Sequence, residues 1–176
     1  MNLKEFNNLT DLFFYQSKKQ RQQDIFLEWL NKVSSRKKFS WEETENSIFK
    51  VAKVLKQYVK EGDRVLLVSE NRPEWLISDL SIMLSNAITV PAYTTYTEKD
   101  YNYLIEDCKP SAVIVSNSVL HKKLEKIIIE KEYIKTVISF DTVARQDNSK
   151  KYFQINSILK THLSDSDKIK ENNQKR

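Results

Sequence analysis

The chain has 176 residues, 40% hydrophobic and 30% charged, enough apolar material for one domain with a core. Its net charge of +5 is a small difference between 29 basic and 24 acidic residues, so a mixed, solvated surface is expected and not a nucleic-acid footprint. It lacks an apolar run of about 18 residues, and hence an expected transmembrane helix, while the single cysteine, Cys108, excludes an internal disulfide and suits the cytoplasm.

Residues 1–23 open with a helix that buries Leu12, Phe13 and Tyr15, with Thr10 as its candidate cap, before a polar run over 17–23. The stretch DIFLEWL (24–30) fits two periods: Ile25, Leu27 and Trp29 alternate as in a strand, while Ile25, Phe26, Trp29 and Leu30 also suit a helix. The strand reading is favoured, because a polar turn over 31–38 and a short extended piece follow. Ser40-Trp41-Glu42-Glu43 is a capping box, in which hydroxyl and carboxylate each satisfy a free backbone donor of the other residue. It opens the clearest helix, with Ile48, Val51, Ala52, Leu55, Tyr58 and Val59 on one face and Gly62 expected to stop it.

The next stretch, 62–97, organises the chain. Residues 64–69 are an apolar, Val- and Leu-rich run suited to a strand buried on both faces. Asn71-Arg72-Pro73-Glu74 reads as a helix start, with Asn71 as cap, Pro73 in the first turn and Glu74 at the positive helix end. Residues 75–84 are apolar nearly all round, which predicts a largely buried helix, and 88–93 form a second strand containing Pro91. Further on, Thr97 and Asp100 cap a helix burying Tyr101, Leu104, Ile105 and Cys108, which Pro110 ends. A strand at 112–115, a helix from Ser118 with Leu120, Leu124, Ile127 and Ile128 inward, and a strand at 133–140 complete the alternation. The pattern predicts an α/β fold: a mainly parallel sheet covered by helices on both faces. Residues 152–163 are expected to add a short helix, and 164–176 to form a polar, disordered tail.

Chemistry-bearing residues are few. His121 and His162 have no neighbours at metal-ligand spacing and read as surface or helix-flank residues; Cys108 reads as packing. Gly62 is the sole glycine where average usage of about 7% would give roughly twelve, so a glycine-rich phosphate loop is excluded from this sequence. The candidates that remain follow strand ends, where ligands bind in open α/β sheets. Arg72 suits a carboxylate or phosphate, Trp75 suits the wall of an apolar pocket, and Tyr93, Thr94 and Thr95 offer hydroxyls at the next strand end. Each also has a plain reading as a turn or anchoring residue.

The GDRV sequence at 62–65, NRPEW at 71–75, and VPAYTTYT at 90–97 with its Thr-x-x-Asp helix start carry a resemblance. The stretch resembles the N-terminal part of the AMP-forming long-chain fatty-acid–CoA ligases, of the adenylate-forming family. Asn86 stands where that family usually has Gly between helix and strand, a place an Asn in the left-handed conformation also fills. The resemblance implies ATP-dependent activation of a fatty acid as an acyl-adenylate, then transfer to coenzyme A, with ATP, Mg and coenzyme A serving the complete enzyme. It covers about residues 5–160 and brings no catalytic residue onto this chain, because the phosphate loop and the C-terminal domain of that family lie beyond the match. None of these cofactors is expected on this chain itself, and no nucleic-acid partner.

The organisation read from the sequence is therefore a lead-in over 1–40, an α/β subdomain over 41–163, and the tail over 164–176. The function expected is that of an inactive N-terminal portion whose partner is the remainder of the ligase, in the same chain or a separate one. It is placed in the cytoplasm, with peripheral contact with a membrane as a further expectation. The alternative is a free-standing binding or scaffold module built on the same fold.

Overall fold

A computed structural model describes residues 6–30, 36–144 and 148–163. Its centre is a five-stranded parallel sheet: β3 (Arg64–Val68), β4 (Ile88–Ala92), β5 (Ala112–Val115), β6 (Thr136–Ser139) and β7 (Lys151–Gln154), in the order β4-β3-β5-β6-β7. Successive side chains of a strand point to opposite faces, and the core divides accordingly. Val65, Leu67, Ala112, Ile114 and Ile138 face a cluster completed by α1 (Leu9–Lys19), α2 (Trp41–Leu55), α3 (Pro73–Leu84) and α6 (Ile155–Leu159). Leu66, Val68, Val113, Val115 and Val137 face a second cluster built with α4 (Glu98–Cys108) and α5 (Ser118–Glu130). Both faces are thus covered, which is what the unbroken apolar runs of β3 and β5 require.

The helix starts follow local chemistry. Ser40 and Glu43 close the expected capping box at 3.1 and 2.8 Å, and Thr97 and Asp100 close a second at 3.3 and 2.9 Å. The crossings between elements need left-handed backbone at three points: Gly62 (φ 78), Asn86 (φ 57) and Lys109 (φ 45). Asn86 does what a glycine would do there, and its carbonyl accepts from Gly62 N at 2.8 Å. Pro91 lies in β4, an edge strand, where its missing N–H removes no ladder bond.

Several expectations need correction. Asn8, not Thr10, caps α1: its side chain accepts from Asp11 N at 2.8 Å, and Thr10 donates its hydroxyl to Asn8. Gly62 does not end α2, which stops at Leu55 and leaves Tyr58 and Val59 in the turn that follows. Phe49, outside the expected stripe, is fully buried and stacks on Phe14 at 5.1 Å. The strand expected at 133–140 shrinks to β6, because Ile134 N bonds back to the Lys131 carbonyl in a turn. Residues 152–154 belong to strand β7 before α6 begins: Tyr152, Phe153 and Gln154 pair with Val137, Ile138 and Ser139, a tertiary preference that a short, polar-flanked run does not announce. The DIFLEWL stretch is the expected strand, β1 (Ile25–Leu30), paired antiparallel with β2 (Arg36–Ser40), but a register shift between Ile25 and Leu27 breaks its alternation, leaving Ile25 exposed and packing Phe26 on the core. The expected tail at 164–176 lies outside the described residues.

Candidate functional site

The carboxyl ends of the parallel strands share one edge of the sheet, and the candidate residues all stand there. The strand order reverses between β3 and β5, the switch point at which open α/β sheets form crevices. Here that point is bridged. Glu70, just past β3, accepts from Ser116 Oγ at 2.6 Å and Asn117 Nδ2 at 2.7 Å, both just past β5. The open cleft lies one strand over, between the ends of β3 and β4. It encloses about 490 Å³ and is lined by Ser69, Glu70, Asn71, Trp75, Pro91, Ala92, Tyr93 and Thr94. A smaller cleft of about 280 Å³ shares Asn71 and Trp75 with it and adds Leu27, Glu28, Trp29, Arg72 and Pro73.

The structure separates the five candidates. Trp75 is half-buried and walls both clefts. Tyr93, 72% exposed, and the half-buried Thr94 line the larger one, while Thr95 is exposed and lines neither. Arg72 stands in the smaller cleft, but both terminal nitrogens of its guanidinium are already engaged, and only the buried Nε lacks a partner. It meets Asp141 bidentately at 3.1 and 3.0 Å and Glu74 at 3.4 Å, and lies 5.0 Å from the Trp29 ring and 5.5 Å from the Phe140 ring. Planar bidentate pairing and stacking are the uses to which a guanidinium is suited.

Glu74, expected at the positive helix end, has a side chain only 1% exposed and takes Lys37 Nζ at 2.6 Å. Burial opposes its ionisation, yet the bond from Lys37 and the charges of Lys37 and Arg72 hold its carboxyl below the usual range. For Arg72, burial works against the charge, but the bonds and charges of Asp141 and Glu74 together outweigh it and raise the guanidinium further. Arg72 itself is the N-cap residue of α3, with no side-chain bond to the helix, and Pro73 at the first position needs none. The capping expected of Asn71 is therefore not made.

The segment 93–97, which turns from β4 into α4, is held differently. Its carbonyls are the fixed points: Tyr101 donates its hydroxyl to the Tyr93 carbonyl at 2.8 Å, and Lys123 donates to the carbonyls of Tyr96 at 2.9 Å and Thr94 at 3.4 Å. Burial, with the neighbouring Tyr96 and Glu70, pushes the Tyr101 hydroxyl up to about 12, so it stays a donor. The Tyr93, Tyr96 and Tyr101 rings meet edge-on at 5.5 and 5.7 Å.

The larger cleft has an apolar wall and a polar rim, with no His, Cys or Lys among its lining residues. It suits binding more than covalent chemistry. It does not suit a nucleotide phosphate either, since it presents Glu70 and no cation. Among the described residues, no group of three or more His, Cys, Asp or Glu could hold a metal ion. His121 is a correction: it is 2% exposed on α5, with its ring nitrogen 3.2 Å from the Tyr152 hydroxyl, and burial draws its pKa down despite Glu125. Cys108 is half-buried, and burial pushes its thiol up, away from nucleophilic use.

A profile of the AMP-binding enzyme family matches residues 13–173. The chain belongs to that family. Relatives among curated AMP-binding proteins include the mitochondrial acyl-coenzyme A synthetase ACSM3 of Homo sapiens, 24% identical over 78% of this chain and 23% of that protein. Fatty acyl-CoA synthetase A of Dictyostelium discoideum is 31% identical over 65% of this chain and 17% of its own length. The fold agrees with solved structures of the anthranilate CoA ligase AuaEII in complex with anthranoyl-AMP (TM-score 0.75, 20% identity, 90% of this chain and 29% of that one). It also agrees with acetoacetyl-CoA synthetase from Streptomyces lividans (TM-score 0.75, 13% identity, 89% and 25%). The chain thus spans about a quarter or less of the curated relatives named here. Sequence reasoning missed Glu70, Ser116 and Asn117 as a group, and Lys123; the switch-point rule points to the first three, and nothing local marks the lysine.

Proposed function

We propose that this chain is the N-terminal α/β portion of an acyl-CoA synthetase that activates long-chain fatty acids with ATP and transfers the acyl group to coenzyme A. Two of the three stretches that carry the resemblance, 71–75 and 90–97, come together on one cleft, with Trp75 on one side and Tyr93 and Thr94 on the other. That convergence is the observation on which the reading stands. The cleft's part is to receive acyl chain, because its wall is apolar and it offers no cation to a phosphate. Adenylation and thioester formation belong to the rest of such an enzyme, and the 176 residues alone are expected to form no acyl-CoA. The proposed division is a lead-in over 1–40, the subdomain over 41–163 and a polar tail over 164–176. Its setting is the cytoplasm, with the remainder of the ligase as its partner.

An immunoblot of the native product with an antibody against this region is the first test, followed by an acyl-CoA assay of that product from butyrate to stearate. Activity peaking at the long acids supports the reading, whereas activity on short or aromatic acids alone sinks the long-chain part. A second reading, a free-standing binding module, has one observation in its favour: both apolar clusters of the sheet are built from this chain's own helices. A native band at 20.8 kDa without synthetase activity would select it.

A further inference from the structure

The loop that forms one rim of the larger cleft has no regular hydrogen-bonded partner strand beyond Ala92, and its one turn bond, Tyr96 N to the Tyr93 carbonyl, is long at 3.3 Å. What holds it comes from a helix on the second face of the sheet. Lys123 of α5 reaches across with its ammonium to the carbonyls of Thr94 and Tyr96. These acceptors are main-chain atoms, so the lysine fixes backbone and leaves the side chains of Tyr93 and Thr94 to face the cleft and solvent. An ammonium carries three donors and no acceptor, and it can bind two carbonyls at once as no neutral side chain of similar length does. A bond from a charged donor is also stronger than a neutral one.

We infer that Lys123 is a positioning residue for the cleft: by pinning the Thr94 and Tyr96 carbonyls it holds the 93–97 rim in the shape that receives an apolar chain. This deepens the acyl-cleft reading and rests on it for the identity of the ligand, but the rim itself is tested without any ligand. Tyr101 and the Thr97–Asp100 capping box hold the two ends of the same loop, so Lys123 governs the span between them. Losing the lysine should open the rim locally and leave the helices that flank it in place.

The experiment uses the full chain with Lys123→Met, which keeps the length of the side chain and removes the charge, and Lys123→Arg, which keeps the charge. Amide hydrogen exchange at Tyr96 and tyrosine-neighbouring loop positions is measured alongside exchange in α4 and α5. Dodecanoate is then titrated while Trp75 emission is followed, with Trp75→Phe identifying its contribution. The expected result is loop exchange about tenfold faster in the Met variant, unchanged exchange in α4 and α5, and recovery in the Arg variant. Dodecanoate affinity should fall severalfold in the Met variant and return with Arg. Unchanged loop exchange in Lys123→Met overturns the inference. So does faster exchange throughout α5, which would make the lysine a general stabiliser. Dodecanoate binding equally tight in all three proteins overturns the positioning role at the cleft. If wild-type chain binds no dodecanoate while the loop still opens on losing the lysine, the rim assignment holds and the acyl reading fails.

Discussion

Two segments leave the sheet on the same edge, one from β3 into α3 and one from β4 into α4, and they are secured by opposite means. At the first, side chains do the holding: Arg72, Glu74, Asp141 and Lys37 form one charged network, with only Arg72 Nε and Glu74 Oε2 left without a partner in it, and Trp29 and Phe140 flank the guanidinium. At the second, main-chain carbonyls are held from outside by Tyr101 and Lys123, and Tyr93 remains largely exposed. The difference teaches where recognition has room. Side chains consumed by architecture have little left for a ligand, whereas a loop held by its backbone keeps its side chains available.

The largest test of this contrast is Arg72→Met. It strips Asp141 of its bidentate partner and leaves buried Glu74 with Lys37 alone, and should cost about 3 kcal/mol, read from the denaturation midpoint at unchanged slope. A loss near zero would show that the charged group is not what fixes the α3 side. Next comes Trp75→Ala. Full burial of so large an aromatic would make its removal cost about 3–5 kcal/mol, but half-burial beside two clefts lowers the expectation to about 2. A full-sized loss would move Trp75 from cleft wall to core anchor.

Acid should erode the fold in two stages, the first at α5 and the second on the α3 side. His121 is neutral by burial, so its folded pKa lies below the unfolded value of about 6.5; stability is complete above that value and falls as pH drops through the folded pKa. His121→Gln should flatten this stage. The Glu74 carboxyl is likewise depressed, so its contribution is present above the unfolded value of about 4.3 and is lost as pH falls through the folded pKa. Lys37→Met should shrink that second stage, and identical acid limbs in variant and wild type would contradict the assignment. The smallest effect on stability belongs to Tyr93→Ala, within about 0.5 kcal/mol because the ring is 72% exposed, while dodecanoate binding weakens. A large stability loss there would make the two segments alike after all.

Much of the architecture was written in local patterns. The capping boxes at Ser40 and Thr97, the apolar runs of β3 and β5, and the left-handed turn at Asn86 depend on neighbours in sequence, and each stands where the sequence puts it. Some local details escaped, such as the cap at Asn8 and the turn at Lys131, but the larger features that escaped are those decided by distant partners. β7 exists because β6 offers it a ladder, and His121 is buried because β7 brings Tyr152 over it. At the cleft, Trp75, Tyr93 and Thr94 were legible as residues after strand ends. Arg72 was legible as a partner for a carboxylate or phosphate, but which one was not, because Asp141 is 69 residues away. The bond from Lys123 spans 27 residues, from α5 back to the loop ahead of α4, a contact no periodicity encodes.

Pro91 has a consequence for how this sheet can be extended. Ile88 N bonds to the Asp63 carbonyl, so Ile88, Val90 and Ala92 direct their backbone groups at β3, and Thr89 and Pro91 direct theirs outward. With proline at one of those two places, the outward side of β4 offers a newcomer a single N–H, that of Thr89. A strand arriving there would find a broken zip and no register to settle into. β7 has no proline, and the outward backbone of Tyr152 is intact. Among the described residues the sheet therefore has one margin blunted by proline, at β4, and one with its backbone unbroken, at β7.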